Sequence, residues 1–489
     1  MTVDQLDMVL LFGAVVLLVS IAAVRLSVGT GLPSLLLYLG LGLLLGEDAL
    51  GLEFDDAELA HALGYAALVV ILAEGGLTTS WRTIRPIVGA ATALATVGTA
   101  VSVAVTAGAA WLLLDVDWRY ALLVGAVLAP TDSAAVFSVL RRVPLPARIC
   151  GLLEAESGFN DAPVIILVVA LAGASAPTWY GLVGLMAYEL TLGAIIGLAV
   201  GALGALGVRR IALPASGLYP IAVMALCVTA YGAAAAAHAS GFLAVYLAAV
   251  VLGNSRLPHR QATRGFAEGM AWLAQIGLFV MLGLLATPSE LGSSVLPALG
   301  IGLVLLLVAR PLSVIASTMP FRVPRREQAF LAWAGLRGAV PVVLATVPRD
   351  ERIFNLVFVL VVVFTVVQGP TLPWVARRLG LVRADEAQDL EIESSPLTRL
   401  DAELLQVQVP SGSKLAGVEV FELRLPRGAA ITLVVRDEES FVPAPTTTLR
   451  VGDELIVVAT GSVRDEVERR LRAVARSGRL AGWYRERGH

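Results

Sequence analysis

Apolar residues fill the first three quarters of the chain in long blocks parted by short polar breaks. A helix of roughly 20 apolar residues crosses the hydrocarbon layer of a bilayer. Blocks of that kind lie near residues 8–24, 32–46, 59–77, 87–114, 120–140, 148–173, 179–207, 216–237, 241–253, 268–286, 291–319, 327–347 and 353–379. They predict an α-helical polytopic membrane protein with about thirteen transmembrane helices, the second and ninth short for a full crossing. After about residue 380 the pattern changes. Residues 381–399 read as a polar, acidic linker. Period-2 alternation at residues 404–409, 430–435 and 454–459 then predicts strands, and 462–473 reads as a charged amphipathic helix. The expected organisation is a membrane domain over 1–380, the linker 381–399, a small cytoplasmic α+β domain over 400–475 and a tail over 476–489.

Loop charge tests the span count. Alternate loops carry arginines, among them Arg82 with Arg85, Arg141 with Arg142, Arg209 with Arg210 and Arg377 with Arg378, while the intervening loops are acidic or neutral apart from Arg119, Arg349 and Arg352, the last two beside Asp350 and Glu351. The alternation holds along the chain and puts the N-terminus outside and the C-terminus in the cytoplasm. The first block follows Asp4 and Asp7 with no basic segment before it, so it reads as a retained span. Composition agrees: 57% apolar and 15% charged residues exclude an ordinary soluble domain. A net charge of −3 gives no reason to expect a nucleic-acid partner. Cys150 and Cys227 both lie in apolar spans, which argues against a disulfide framework.

Ionisable residues inside such spans are costly and mark functional sites. Asp132, in Ala129-Pro130-Thr131-Asp132, and Asp161, in Ser157-Gly158-Phe159-Asn160-Asp161, fall at matching depth when counted at 1.5 Å per residue from opposite ends of their spans. Ser157 and Asp161 share one helix face, as do Glu156 and Asn160. Carboxylates beside hydroxyl and amide oxygens suit a small hard cation or a proton. Pro130 interrupts the fifth span, and Gly335-Leu336-Arg337-Gly338 followed by Pro341 interrupts the twelfth. A pair of interrupted spans in corresponding halves points to inverted repeats with crossing discontinuous helices. Glu156 needs a cationic partner or a proton, with Arg310 favoured as the partner and Arg337 the other candidate; Arg337 is then expected to balance the helix ends of its own break. Glu74 is a candidate for an access funnel. Glu154, Glu189 and His238 read as interfacial or structural. No nucleophile–base or metal-ligand set for an enzyme appears.

Thr131-Asp132, Glu156-Ser157 with Asn160-Asp161, Ala309-Arg310-Pro311 and Gly335-Leu336-Arg337-Gly338-Ala339 resemble the cation:proton antiporter-1 family, the NhaP-type exchangers. The tail is similar to the RCK_C (TrkA-C) module of potassium-uptake regulators. The resemblance implies exchange of K⁺ or Na⁺ for H⁺ by alternating access in the inner membrane, in the service of cation and pH homeostasis. It implies an ion site of Asp132, Asp161, Ser157 and Thr131, with Asn160 supporting Asp161 and no cofactor. Asn160 stands where electrogenic relatives carry a second aspartate, which implies electroneutral exchange. A homodimer and a small-ligand effector, such as a nucleotide, at the C-terminal domain are further implications. The readings weighed against antiport are a ligand-gated cation channel and a membrane sensor that does not transport. A channel wants a carbonyl-rich filter, and none is seen; a sensor predicts substituted carboxylates, whereas both are present.

Overall fold

The computed structural model describes residues 3–478 apart from 31, 53, 55, 141–142, 144, 174–177, 383–391, 398–401, 411, 438 and 462. Most of the expected linker, the arginine pair at 141–142 and the tail beyond 478 therefore lie outside the described residues. The chain divides into two compact units, Met1–Leu381 and Val382–His489.

The first unit is helical throughout: α1 (Val3–Thr30), α2 (Ser34–Leu45), α3 (Ala57–Thr78), α4 (Trp81–Leu114), α5 (Trp118–Val127), α6 (Ser133–Leu140), α7 (Ala147–Ala172) and α8 (Trp179–Arg210). There follow α9 (Leu218–Ala236), α10 (Gly241–Gly253), α11 (Arg260–Leu285), α12 (Pro288–Phe321), α13 (Arg325–Trp333), α14 (Ala339–Ala345) and α15 (Glu351–Arg378). Among the described residues, 8 helices are long and apolar enough to cross a membrane, and this is a polytopic α-helical membrane protein. Several helices begin where a short polar side chain can accept from a free amide. Asp56 takes the Leu59 amide, Asp117 those of Arg119 and Tyr120, Ser240 that of Leu243 and Asp350 that of Arg352. In α4 and α12 a π-helical turn interrupts the ladder, at Leu94–Gly98 and Leu305–Ala309.

These helices pack as two bundles. Helices α1–α3 with α8–α11 form one, and α4–α7 with α12–α15 the other. Within the first, small residues bring backbones together. A Cβ on Gly42 of α2 would strike the Val280 carbonyl of α11, and one on Gly197 of α8 would strike Ala244 of α10. Close approach of this kind is how helices associate in lipid, where burial of apolar surface supplies no drive.

The second unit is α+β. Strands β1 (Ile392–Leu397), β2 (Ala402–Gln408), β3 (Ala429–Arg436), β4 (Glu439–Phe441) and β5 (Glu454–Thr460) form an antiparallel sheet in the order β1-β2-β5-β3-β4. Leu405 and Val407 of β2 and Leu455 and Val457 of β5 are buried on one face. Helix α16 (Arg464–Ser477) covers them with Val467, Leu471 and Val474, at one-turn and two-turn spacing. Strand β1 falls within the stretch 381–399 expected to be a linker. Its sequence, Ile392-Glu-Ser-Ser-Pro-Leu, is polar and holds Pro396, which a sheet tolerates only at an edge, and β1 is an edge. Fully buried Asp453 accepts from Arg436 through both carboxylate oxygens at 2.7 Å and from the Arg450 amide at 2.7 Å. Burial alone would push this carboxyl up; the Arg436 and Arg450 contacts hold it below the usual carboxylate range.

Candidate functional site

Two chain breaks, not two helices, make the centre of the membrane unit. Pro130 has no amide to donate, so the span begun by α5 opens over residues 128–132 before α6 starts. The span begun by α13 opens likewise over residues 334–338 before α14. Each break satisfies the other's freed backbone groups. The Asp132 amide donates to the Leu336 carbonyl at 2.9 Å, and Arg337 Nη1 donates to the Pro130 carbonyl at 3.0 Å. Irregular backbone at membrane depth survives when it is buried in protein in this way.

Charge follows the helix ends. Asp132 Oδ1 accepts from the Ala134 and Ala135 amides at 2.9 and 3.2 Å, capping α6. A Cβ on Gly338 would fall on the Asp132 carboxylate, so the start of α14 also abuts this side chain. A carboxyl group thus sits at two helix N-termini. Cations sit at the opposite ends: Arg337 on the carbonyl that follows α5, and Arg310 Nη2 on the Leu331 carbonyl in the last turn of α13 at 3.2 Å. Arg337 therefore serves the other break, not its own as the sequence led us to expect.

Arg310 also grips Glu156 with both terminal nitrogens, Nη2 to Oε2 at 2.9 Å and Nη1 to Oε1. Both residues are under 5% exposed, so each charge depends on the other. This pair lies away from the solvent-reaching cavity.

That cavity, of about 320 Å³, runs along the seam between the bundles. Thr131, Asp132, Ser157, Asp161 and Glu74 all line it, so five of the residues singled out from sequence meet there. Asp132 is half-buried, Asp161 is buried, and Asp161 Oδ1 has no hydrogen-bond partner among the described residues. The Ser133 amide reaches Ser157 Oγ at 3.4 Å, tying α6 to α7. Asn160 stands behind the wall. Its side-chain nitrogen donates to Thr131 Oγ1 at 3.0 Å, so it braces Thr131, where the resemblance had it supporting Asp161. Arg310 and Arg337 share only a much smaller cavity of about 10 Å³.

Three wall residues were missed or discounted. Glu154, read as interfacial, and Glu268, not singled out, both line the cavity with Tyr246. Glu268 and Gln275 lie seven residues apart on an otherwise apolar helix face, and that spacing was the available signal.

The transmembrane sodium/hydrogen exchanger family model matches residues 13–378, about three quarters of the chain. The chain belongs to this family. Residues 404–472 match the TrkA-C domain. The exchanger chain is similar to the K⁺/H⁺ antiporter NhaP of Alkalimonas amylolytica, at 35% identity over 93% of this chain and 82% of that one. The K⁺/H⁺ antiporter NhaP2 of Shewanella oneidensis is 35% identical over 94% of this chain and 82% of its own. The solved structure of the sodium proton antiporter MjNhaP1 from Methanocaldococcus jannaschii at pH 8 shares the fold, with a TM-score of 0.68 at 20% identity over 77% of this chain and 99% of that one. An exchanger of this NhaP type is a secondary active transporter, trading a monovalent cation for a proton, and here it carries a regulatory TrkA-C domain.

Proposed function

We propose that this exchanger moves K⁺ against H⁺ by alternating access, one cation per proton, with Asp161 as the group that trades one for the other. The observation that carries the reading is Asp161 itself: a buried carboxylate at the wall of the seam cavity, with one oxygen unpartnered among the described residues, beside Asp132, Ser157 and Thr131. Hard oxygen donors suit K⁺ or Na⁺. A proton and a cation compete for one oxygen set, and that competition couples their movement. K⁺ is favoured because the relatives matched along both domains are named K⁺/H⁺ antiporters. Asn160 adds no second charge, which supports electroneutral exchange.

Positive-inside loops support an N-outside, C-cytoplasmic arrangement in the inner membrane. The seam cavity then opens inward, since Glu74, Glu154 and Glu268 lie near the arginine-bearing ends of their helices. The short helices, with the eight long ones, support a count of thirteen spans. Inverted repeats are supported by a matching order in both halves: a span with a π-turn, a broken span, then a long helix. A homodimer whose TrkA-C modules bind a small ligand completes the reading.

Proteoliposomes loaded with a pH dye test it. KCl should drive proton efflux more strongly than NaCl, and choline chloride should not. Asp161→Asn should abolish the flux in a folded protein. Equal flux with choline, or retained exchange in Asp161→Asn, would refute the mechanism.

A further inference from the structure

One face of α3 changes its role halfway along. From Leu68 through Ile71, Leu72 and Gly75 to Thr78, residues at helical spacing line the seam cavity. Toward the other end, the same face is closed against α14 and the turn that follows it. An added Cβ on Gly64 would lie 3.0 Å from Val343 Cγ1, so the two helices meet side chain to backbone there. One turn further, His61 Nδ1 lies 3.2 Å from Thr346 Oγ1. The Thr346 hydroxyl proton goes to the Val343 carbonyl at 2.7 Å, which leaves His61 as the donor. At the rim, Glu58 Oε1 and Arg349 Nη2 are 3.5 Å apart and exposed. The His61 ring is held from behind by Tyr65, centroid to centroid 4.2 Å, and Tyr65 by Phe242 of α10.

These contacts join the two bundles, α3 belonging to one and α14 to the other. They begin about one helical turn, ~6 Å of rise, above the cavity wall. Helix α14 starts at the Asp132 carboxylate and ends in this contact, so its 7 residues connect the ion site to the seam. We propose that the α3–α14 seam, built on Gly64–Val343, His61–Thr346 and Glu58–Arg349, is the gate that closes the ion site to the acidic face. It must part once in every exchange cycle. This rests on the antiport reading, and the gate has a readout of its own.

The full-length chain carrying Cys150→Ala and Cys227→Ala supplies the background, with His61→Cys and Thr346→Cys added. Oxidation should join the new pair, lower exchange at least about tenfold, and be reversed by reductant, while each single cysteine variant keeps its rate. A pair that fails to cross-link, or cross-linked protein that exchanges as fast as reduced protein, overturns the gate. The second measurement needs no transport. Ala134→Cys places a thiol in the cavity, and a membrane-impermeant thiol reagent is applied from the acidic face. Gly64→Leu, which wedges the seam open, should raise labelling about tenfold, and the oxidised pair should suppress it. Gly64→Ala serves in the same way if the leucine variant does not fold. Labelling that ignores both the wedge and the cross-link refutes the gate, even in a chain that proves not to be an antiporter.

Discussion

The Asp132 amide donates to the Leu336 carbonyl at 2.9 Å, joining the two broken spans main chain to main chain across more than 200 residues of sequence. No substitution but proline removes that bond, yet another can prise it open. Gly338 lies where a methyl group would displace the Asp132 carboxylate. Gly338→Ala should cut exchange about tenfold or more at near-wild-type abundance, because the carboxylate moves while the apolar packing survives. Flux assays at matched protein level check this; exchange within twofold of wild type would show that the carboxylate is free to shift.

Glu156 and Arg310 make a buried, doubly hydrogen-bonded pair. Glu156→Ala leaves a guanidinium without its anion, at a cost of about 3–5 kcal/mol. Yield and melting temperature should fall well below those of Glu189→Ala, whose side chain is half-buried and has no ion pair among the described residues. Equal melting curves would mean that the pair adds nothing to stability.

The TrkA-C domain has a pH dependence with a definite sign. Asp453 is held below the usual carboxylate range by Arg436 and the Arg450 amide. A depressed carboxyl contributes stability that is complete above its unfolded value, about 4, and is lost as pH falls through the folded value. Amides of β5 should stay protected from hydrogen exchange near neutral pH and lose protection at more acidic pH. Asp453→Asn should expose them already at neutral pH. Protection that does not change with pH would place the domain's stability elsewhere.

Removing residues 390–489 should leave exchange intact but shift its cation or pH dependence. A regulator acts only through differential affinity for two states, so the shift should reflect a coupling of about 1–3 kcal/mol. An unchanged profile at equal abundance would make the domain an assembly aid.

What the sequence showed of the site was what local chemistry dictates. Pro130 and Gly335–Gly338 mark the breaks, because proline and glycine interrupt helices wherever they fall. Asp132 and Asp161 stood out because charge is costly in lipid. Partnership was harder to read. Arg337 serves a carbonyl 207 positions away and His61 meets a threonine 285 positions away, separations no local pattern encodes. Glu154 and Glu268 were hidden for another reason. Each lies near a helix end that also carries arginines, where a glutamate looks solvated until another helix closes over it. Strand β1 was missed because a polar edge strand lacks the alternation that betrays a buried one.

The glycines of the first bundle have a mechanical consequence. Gly42, Gly197, Gly253 and Gly283 each bring one helix backbone directly onto another. Where glycines face the other bundle, at Gly64, Gly158 and Gly369, they meet side chains: Val343, Tyr246 and Pro33. Backbone contact has no rotamers through which to yield, whereas a side chain can turn aside. One half of the membrane unit is thus a welded chassis, whereas the boundary it shares with the other half is a bearing surface of side chains able to repack.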